Sequence, residues 1–186
     1  YALYATGVTG IYRRICFLDQ MNIKEQLIKE HSKANTLRIA CYIEENPLLF
    51  SQLMDYFFED DYTVAQRAAW VLRTLGDKNP SLLNPYLERM VQQLTKDVHN
   101  GVKRNTLALL QNYNLPEHLL GITTNSCFDL LSNKKSPVAI KVFAITVLAN
   151  ICKKEPDLFN ELKITVEDQL PYSSPAFRSR ARKILK

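Results

Sequence analysis

Four basic residues stand at a constant interval of 37 residues and could bind a phosphorylated ligand. These anchors are Arg67, Arg104, Lys141 and Arg178. A positive charge that recurs at every step along a surface can neutralise successive phosphates. In a helix that includes Val64 and Ala68, however, Arg67 would lie at the edge of the apolar face. We therefore favour a structural role, in which the anchor side chains bond to a neighbouring loop or aspartate.

Residues that commonly serve in catalysis form no recognised motif in this sequence. His31, His99 and His118 are predicted in loops or near helix ends, with no adjacent nucleophile motif and no His-Glu-x-x-His spacing. The four cysteines include no Cys-x-x-Cys pair, and the chain contains no glycine-rich phosphate loop. We predict no catalytic residue, no metal site and no cofactor. The cysteine usage fits a reducing, cytoplasmic location.

The elements that position the anchors are predicted to be antiparallel pairs of helices, with an A helix followed by a B helix. The chain has only five glycines, and apolar residues recur at helical spacing, as in Leu49, Leu53 and Phe57. The predicted A helices cover 23–31, 47–58, 80–94, 116–131 and 156–170. The predicted B helices cover 36–45, 64–75, 102–113, 138–154 and 175–185, and a weak opening helix lies near 10–18.

Prolines and short polar side chains mark the predicted helix starts. Proline at the first helical position loses no hydrogen bond, and this placement is predicted for Pro47, Pro80, Pro116 and Pro156. Side-chain capping is expected directly before a proline, at Asn46, Asn79, Ser136 and Ser174. Pro85 predicts a late start or a kink in helix 80–94, and Gly121 weakens the helix preference of 116–131.

The repeated two-helix unit resembles the HEAT and armadillo group of helical repeats over roughly residues 34–186. An aspartate precedes the B helix and a basic residue lies in its first turn, as in Asp61 with Arg67 and Asp97 with Arg104. The resemblance implies an all-α fold, an α-α superhelix of about five antiparallel helix pairs. Residues 21–186 would form a single repeat domain. Residues 1–20 would be an N-terminal extension or a first helix.

A candidate partner-binding surface lies on the B helices, opposite the apolar stripe of helix 64–75. Gln66, Trp70 and Arg73 lie on this face, and projection by the 37-residue period gives Lys103, Leu107 and Leu110, then Ile140, Ala144 and Val147, with Phe143 beside them. The candidate binding residues, here called the B-helix row, are Trp70, Arg73, Lys103, Leu107, Leu110, Ile140, Phe143 and Val147. Because B helices line the concave side of HEAT-like solenoids, an exposed row would grip a partner helix or peptide. The alternative is that helix 138–154, which is apolar on all sides, is a central helix buried among its neighbours.

A second candidate surface lies in the last predicted helix. Residues 101–186 contain 13 basic and seven acidic residues, whereas residues 1–100 contain 11 and 12. The C-terminal basic patch consists of Arg178, Arg180, Arg182 and Lys183. It could bind nucleic acid or an acidic partner. A polar cap at the end of a repeat array is the alternative that we favour.

The sequence therefore predicts a non-enzymatic scaffold that binds a protein or peptide. The alternative is a nucleic-acid-binding protein that resembles the HEAT-like alkylpurine DNA glycosylases. Trp70, Arg73, Lys103 and Arg104 are similar to the aromatic and basic residues of that family, but its Trp- and Asp-rich catalytic stretch has no counterpart. No segment has the roughly 20 consecutive apolar residues of a membrane span, so we expect no membrane partner.

Overall fold

The computed structural model describes residues 21–185, and all regular structure in that range is helical. The helices are α1 (Ile23–Lys29), α2 (Lys33–Glu45), α3 (Leu49–Phe57), α4 (Tyr62–Lys78), α5 (Leu87–Leu94), α6 (Asn100–Leu110), α7 (Glu117–Ser132), α8 (Val138–Cys152), α9 (Leu158–Gln169) and α10 (Pro175–Ile184). Short 3-10 helices cover Pro80–Tyr86 before α5 and Leu170–Tyr172 after α9. The all-α prediction is confirmed. The predicted extension 1–20 and the helix predicted near 10–18 lie outside the described residues.

Two prolines determine where α-helical geometry begins in the A helix predicted over 80–94. Pro80 begins a 3-10 helix that contains Pro85, and α-helical geometry starts only at Leu87. A proline inside an α-helix removes a hydrogen bond and clashes with the preceding turn, so the tighter 3-10 geometry replaces the first half of the helix. The predicted late start is confirmed. Gly121, by contrast, lies inside the uninterrupted helix α7.

Only one of the four predicted caps forms. The Ser174 hydroxyl accepts a hydrogen bond from the amide of Phe177 at the start of α10. The capping prediction is wrong for Asn46, whose amide donates to the Tyr42 carbonyl and so closes the end of α2. It is also wrong for Asn79, which makes no capping bond, and for Ser136, because Pro137 occupies the cap position of α8.

Other polar side chains cap helices in their place. The Ser32 hydroxyl accepts from the Asn35 amide at 3.1 Å, and the Asp61 carboxylate accepts from the Thr63 amide at 2.8 Å. The His99 ring nitrogen Nδ1 accepts from the Gly101 amide at 3.0 Å. Each of these side chains accepts a hydrogen bond from a backbone amide that has no partner within its helix.

The chain divides into two compact units between Leu75 and Gly76, inside α4. In the described part of the first unit, α1 packs on α2 around the buried side chains of Ile23, Leu27 and Ile39. The prediction of one domain over 21–186 stays a prediction.

Helix α8 is the centre of the second unit. It contacts α6, α7, α9 and α10, and the side chains of Ala144, Ile145 and Leu148 are completely buried. A helix that meets neighbours in several directions needs apolar residues in several directions. This packing explains the apolar composition of α8 and agrees with the interpretation of a central helix.

Candidate functional site

The first anchor makes the structural contact expected from its place beside the apolar face. The Arg67 guanidinium donates from Nη1 to the carbonyl oxygens of Leu27 and Ile28, each at 2.6 Å. Carbonyls in the last turn of a helix such as α1 have no partner within that helix, and they carry the negative end of its dipole. A cation placed there stabilises the helix end. The structural interpretation is confirmed for Arg67.

Two further anchors also bond within the chain. The Arg104 guanidinium donates to Oδ1 of Asn105 at 3.3 Å, and the Lys141 ammonium donates to Oε1 of Gln169 at 2.8 Å. Burial lowers the pKa of Lys141, because desolvation disfavours its charged form. Arg178 is exposed. The four anchors therefore differ in environment and do not form a uniform series of solvent-facing charges.

The structure reveals two more contacts of the same kind that the sequence did not indicate. The Asn150 amide donates to the Gln111 carbonyl, and the Lys154 ammonium donates to the Leu115 carbonyl, each at 2.8 Å. Both span 39 residues, as does the bond from Arg67 to Ile28. A side chain at or after the end of one B helix thus bonds to the backbone about one repeat earlier. Asn150 and Lys154 lie outside the anchor register, which is why the period alone did not identify them.

We expect loss of the Arg67 contact to destabilise the first unit. Arg67→Met keeps much of the apolar stem but leaves two carbonyls without their charged donor, which should cost about 1–3 kcal/mol in the free energy of unfolding. Lys33→Met, at an exposed lysine in the first turn of α2, is the control and should change stability by less than about 0.5 kcal/mol. Urea unfolding of the full chain measures both. Equal stabilities would contradict the structural role.

Half of the B-helix row is buried. Leu107 is 0% exposed, and Leu110, Ile140 and Val147 are each 1% exposed. These four side chains belong to the core, because α6 and α8 pack against each other and α8 is surrounded by neighbours. The expectation of an exposed apolar row is therefore wrong at these four positions.

The other four residues of the row are partly exposed. In the first unit, Trp70 and Arg73 lie one turn apart on α4 and are half-buried. The Trp70 ring meets His31 edge-on, with ring centres 5.2 Å apart and planes at 88°. In the second unit, Lys103 on α6 and Phe143 on α8 are half-buried.

The C-terminal basic patch borders a hollow in the second unit. Arg178, Arg182 and Lys183 are exposed, and Arg180 is half-buried. Arg180 and Lys183 line a hollow of about 580 Å³ together with residues of α8, the α8–α9 turn and α9, here called the basic hollow. Its other lining residues are Thr146, Ala149, Asn150, Cys152, Lys153, Pro156, Phe159 and Ile184. Three of its lining side chains are cationic and none is anionic.

A smaller hollow of about 350 Å³ lies beside the end of α6, also in the second unit. Its lining includes Tyr113, whose hydroxyl donates to the Pro80 carbonyl. Burial raises the pKa of Tyr113 to about 12, so this phenol is neutral at physiological pH. The Asn150 and Lys154 bonds to Gln111 and Leu115 cross the same region. Three polar side chains of this hollow, those of Tyr113, Asn150 and Lys154, therefore bond to backbone carbonyls and hold the loop after α6.

A family model for a HEAT repeat domain matches residues 23–186. The chain belongs to the HEAT repeat family. No curated protein and no solved structure gives a significant match to it. Membership confirms the predicted HEAT-like repeat and makes the chain a helical repeat scaffold, of the kind that typically binds proteins.

Within the part of this HEAT repeat chain that the structure describes, four of the histidines and cysteines that could serve in catalysis are in structural environments. Burial raises the pKa of the Cys127 thiol to about 12 and also raises the pKa of Cys152, which disfavours the nucleophilic thiolate of each. His99 caps α6, and His31 contacts Trp70. Residues 21–185 contain no group of three or more potential ligand side chains placed to hold a metal ion. No helix in the described range is long and apolar enough to cross a bilayer.

Proposed function

We propose that this HEAT repeat chain is a non-enzymatic scaffold that binds another protein through the B-helix face, the concave side in this family. The observation that carries the proposal is the placement of Trp70 and Phe143. Both are large aromatic side chains on B helices, and both are only half-buried. Tryptophan and arginine are enriched among the residues that dominate protein interfaces, and Arg73 lies one turn from Trp70.

The environment of Trp70 supports this role in the first unit. Its edge contact with His31 restricts the orientation of the indole, so little side-chain entropy would be lost on binding. Lys103 supplies a charged, half-buried position on α6 of the second unit, and Phe143 supplies an aromatic one on α8. Each unit therefore offers an aromatic and a cationic residue of the predicted row.

We expect Trp70→Ala and Phe143→Asp each to weaken peptide binding by about ten-fold or more, since each removes a large interface side chain. Peptides that bind the full chain are first selected from a library of random displayed peptides. The affinity of each variant for the enriched peptides is then measured. The matched controls are Tyr62→Ala on α4 and Val138→Asp on α8, which introduce the same residues at exposed positions of the same helices. Helical circular dichroism should be unchanged in all four variants.

Two outcomes would overturn the proposal. Loss of helicity in Phe143→Asp would assign Phe143 to the core. Failure to enrich any peptide, together with retention of a single-stranded oligonucleotide that weakens steeply with salt, would favour the nucleic-acid alternative, because phosphate contacts release counterions.

A further inference from the structure

The basic hollow combines an apolar floor with a cationic rim. Ala149, Cys152, Phe159 and Ile184 contribute apolar surface from three helices, and Pro156 contributes the turn between α8 and α9. Its volume of about 580 Å³ is in the range of about 300–1,000 Å³ typical of ligand sites. Phe159 and Ile184 are half-buried, so they present apolar surface to solvent.

The rim cations have no carboxylate partner among the described residues. An ion pair does join Lys24 and Glu59, but it lies in the first unit. Lys153 is positioned by Asn150, whose Oδ1 accepts from the ammonium at 3.0 Å while its Nδ2 donates to the Gln111 carbonyl. The charge of Lys153 is thus held at the edge of the hollow by a bonded side chain.

Like charges also crowd α10. Arg178, Arg180, Arg182 and Lys183 lie on ten helical residues that contain no acid. Pairs such as Arg180 and Lys183, three residues apart on the helix, repel each other. An anionic ligand would relieve this repulsion, and the electrostatic gain would be greatest beside the apolar floor, where water is partly excluded.

We propose that the basic hollow binds an acidic segment of a partner protein, with an apolar side chain inserted among Ala149, Phe159 and Ile184. Carboxylates flanking that side chain would pair with Arg180, Lys183 and Lys153. The inference rests on the proposed protein-binding function and names the chemistry of one partner segment. It also gives Arg180 and Lys183, two residues of the C-terminal basic patch, a role beyond that of a polar cap. Phe143 lies one turn before Thr146 on α8, so the hollow continues the B-helix row within the second unit.

The surrounding charges favour a peptide over nucleic acid. Glu155 and Asp157 flank Pro156 at the edge of the hollow, and Glu161 follows on α9, all of them exposed. A nucleic-acid strand carries a charge on every nucleotide and needs a continuous cationic path, which these carboxylates interrupt. The same carboxylates repel an acidic peptide as well, but a short segment can place its few charges at Arg180, Lys183 and Lys153 without following a continuous path.

The test uses the same displayed random-peptide library on the full chain. We expect an enriched class with aspartate or glutamate on both sides of an aromatic or large aliphatic residue. Arg180→Glu and Lys183→Glu should each weaken these peptides by about ten-fold or more, because each replaces an attractive charge pair with a repulsive one. The matched control is Arg178→Glu, on the same helix but outside the hollow, which should change affinity by less than about three-fold.

A second variant separates use of the hollow from simple charge attraction. Ala149→Trp fills the floor without changing any charge, and it should abolish measurable binding of the acidic class. Retained binding in Ala149→Trp, or equal loss in Arg178→Glu and Arg180→Glu, would overturn the proposed site. Tighter binding of an oligothymidylate that is lost in Arg180→Glu would assign the hollow to nucleic acid. If peptides enrich but depend on Trp70 or Phe143 and not on Arg180 and Lys183, the inference fails while the proposed function stands.

Discussion

Leu107→Asp is expected to unfold the second unit of the protein. Leu107 belongs to the B-helix row in the sequence, yet its side chain is completely buried on α6, which packs against α5 and α8. A carboxylate at this position would lose its hydration without gaining a partner, which should cost at least about 4 kcal/mol in the free energy of unfolding. That is a large part of the stability of an ordinary domain. Circular dichroism and urea unfolding of the full chain would show the loss.

Lys103 provides the control, because it lies one turn earlier on the same helix and in the same predicted row. Lys103→Asp places a carboxylate at a half-exposed position in the first two turns of α6, and it should leave the protein folded. The milder change Leu107→Ala should cost about 2–5 kcal/mol. A folded Leu107→Asp with near wild-type stability would mean that the B-helix row is open to solvent at this point.

Leu107 and Lys103 illustrate what a helical period can and cannot reveal. The period correctly predicts that they share a face, because that depends only on the geometry of one helix. Whether that face is covered depends on where α8 lies, and the 37-residue spacing contains no such information. Lys103 reaches solvent through its long stem, whereas Leu107 is enclosed by packing between helices. The sequence therefore identified the row, and only tertiary contacts divide it into core and surface.

The basic hollow likewise depends on contacts between helices, which the sequence pattern does not predict. The sequence shows its cations on α10 as an acid-free basic helix, which favours their interpretation as a polar cap. The apolar floor is supplied by Ala149 on α8 and Phe159 on α9, which neither the repeat register nor any motif connects to Arg180. Sequence patterns predict which residues share one face of a single helix. A site built from three helices also requires the angles and distances between them.

The capping predictions at helix starts depend on where each helix begins, to within one or two residues. Asn46 and Ser136 have the side chains of good caps and stand before prolines, as Ser174 does. At Ser174 the following proline begins α10 directly, so the hydroxyl meets the free amide of Phe177. In α3 and α8 at least one more residue follows the polar residue before the helix begins. The polar side chain therefore precedes the cap position and does not reach the free amides of the first turn. A shift of one or two residues, below the precision of sequence patterns, decides whether the bond can form.

The second large effect is expected at Phe177, whose side chain attaches α10 to the rest of the second unit. Phe177 is 2% exposed, and α10 packs against α8. Phe177→Ala removes a buried aromatic ring and leaves a cavity, so we expect a loss of about 3–5 kcal/mol in the free energy of unfolding. Hydrogen exchange of the α10 amides should accelerate more than that of α6, since α10 has fewer other contacts to hold it.

Tyr172→Ala is the matched control, because it removes an aromatic ring three residues before α10 from a side chain that is 93% exposed. Its free energy of unfolding should change by less than about 0.5 kcal/mol. If Phe177→Ala leaves α10 docked and the stability unchanged, the packing of α10 on α8 is not what holds the basic residues at the hollow. If α10 is released instead, Arg180 and Lys183 leave the hollow together, and the acidic peptides should lose affinity in Phe177→Ala while keeping it in Tyr172→Ala. Peptide affinity in this pair thus tests whether the hollow depends on the docked helix or on the basic residues alone.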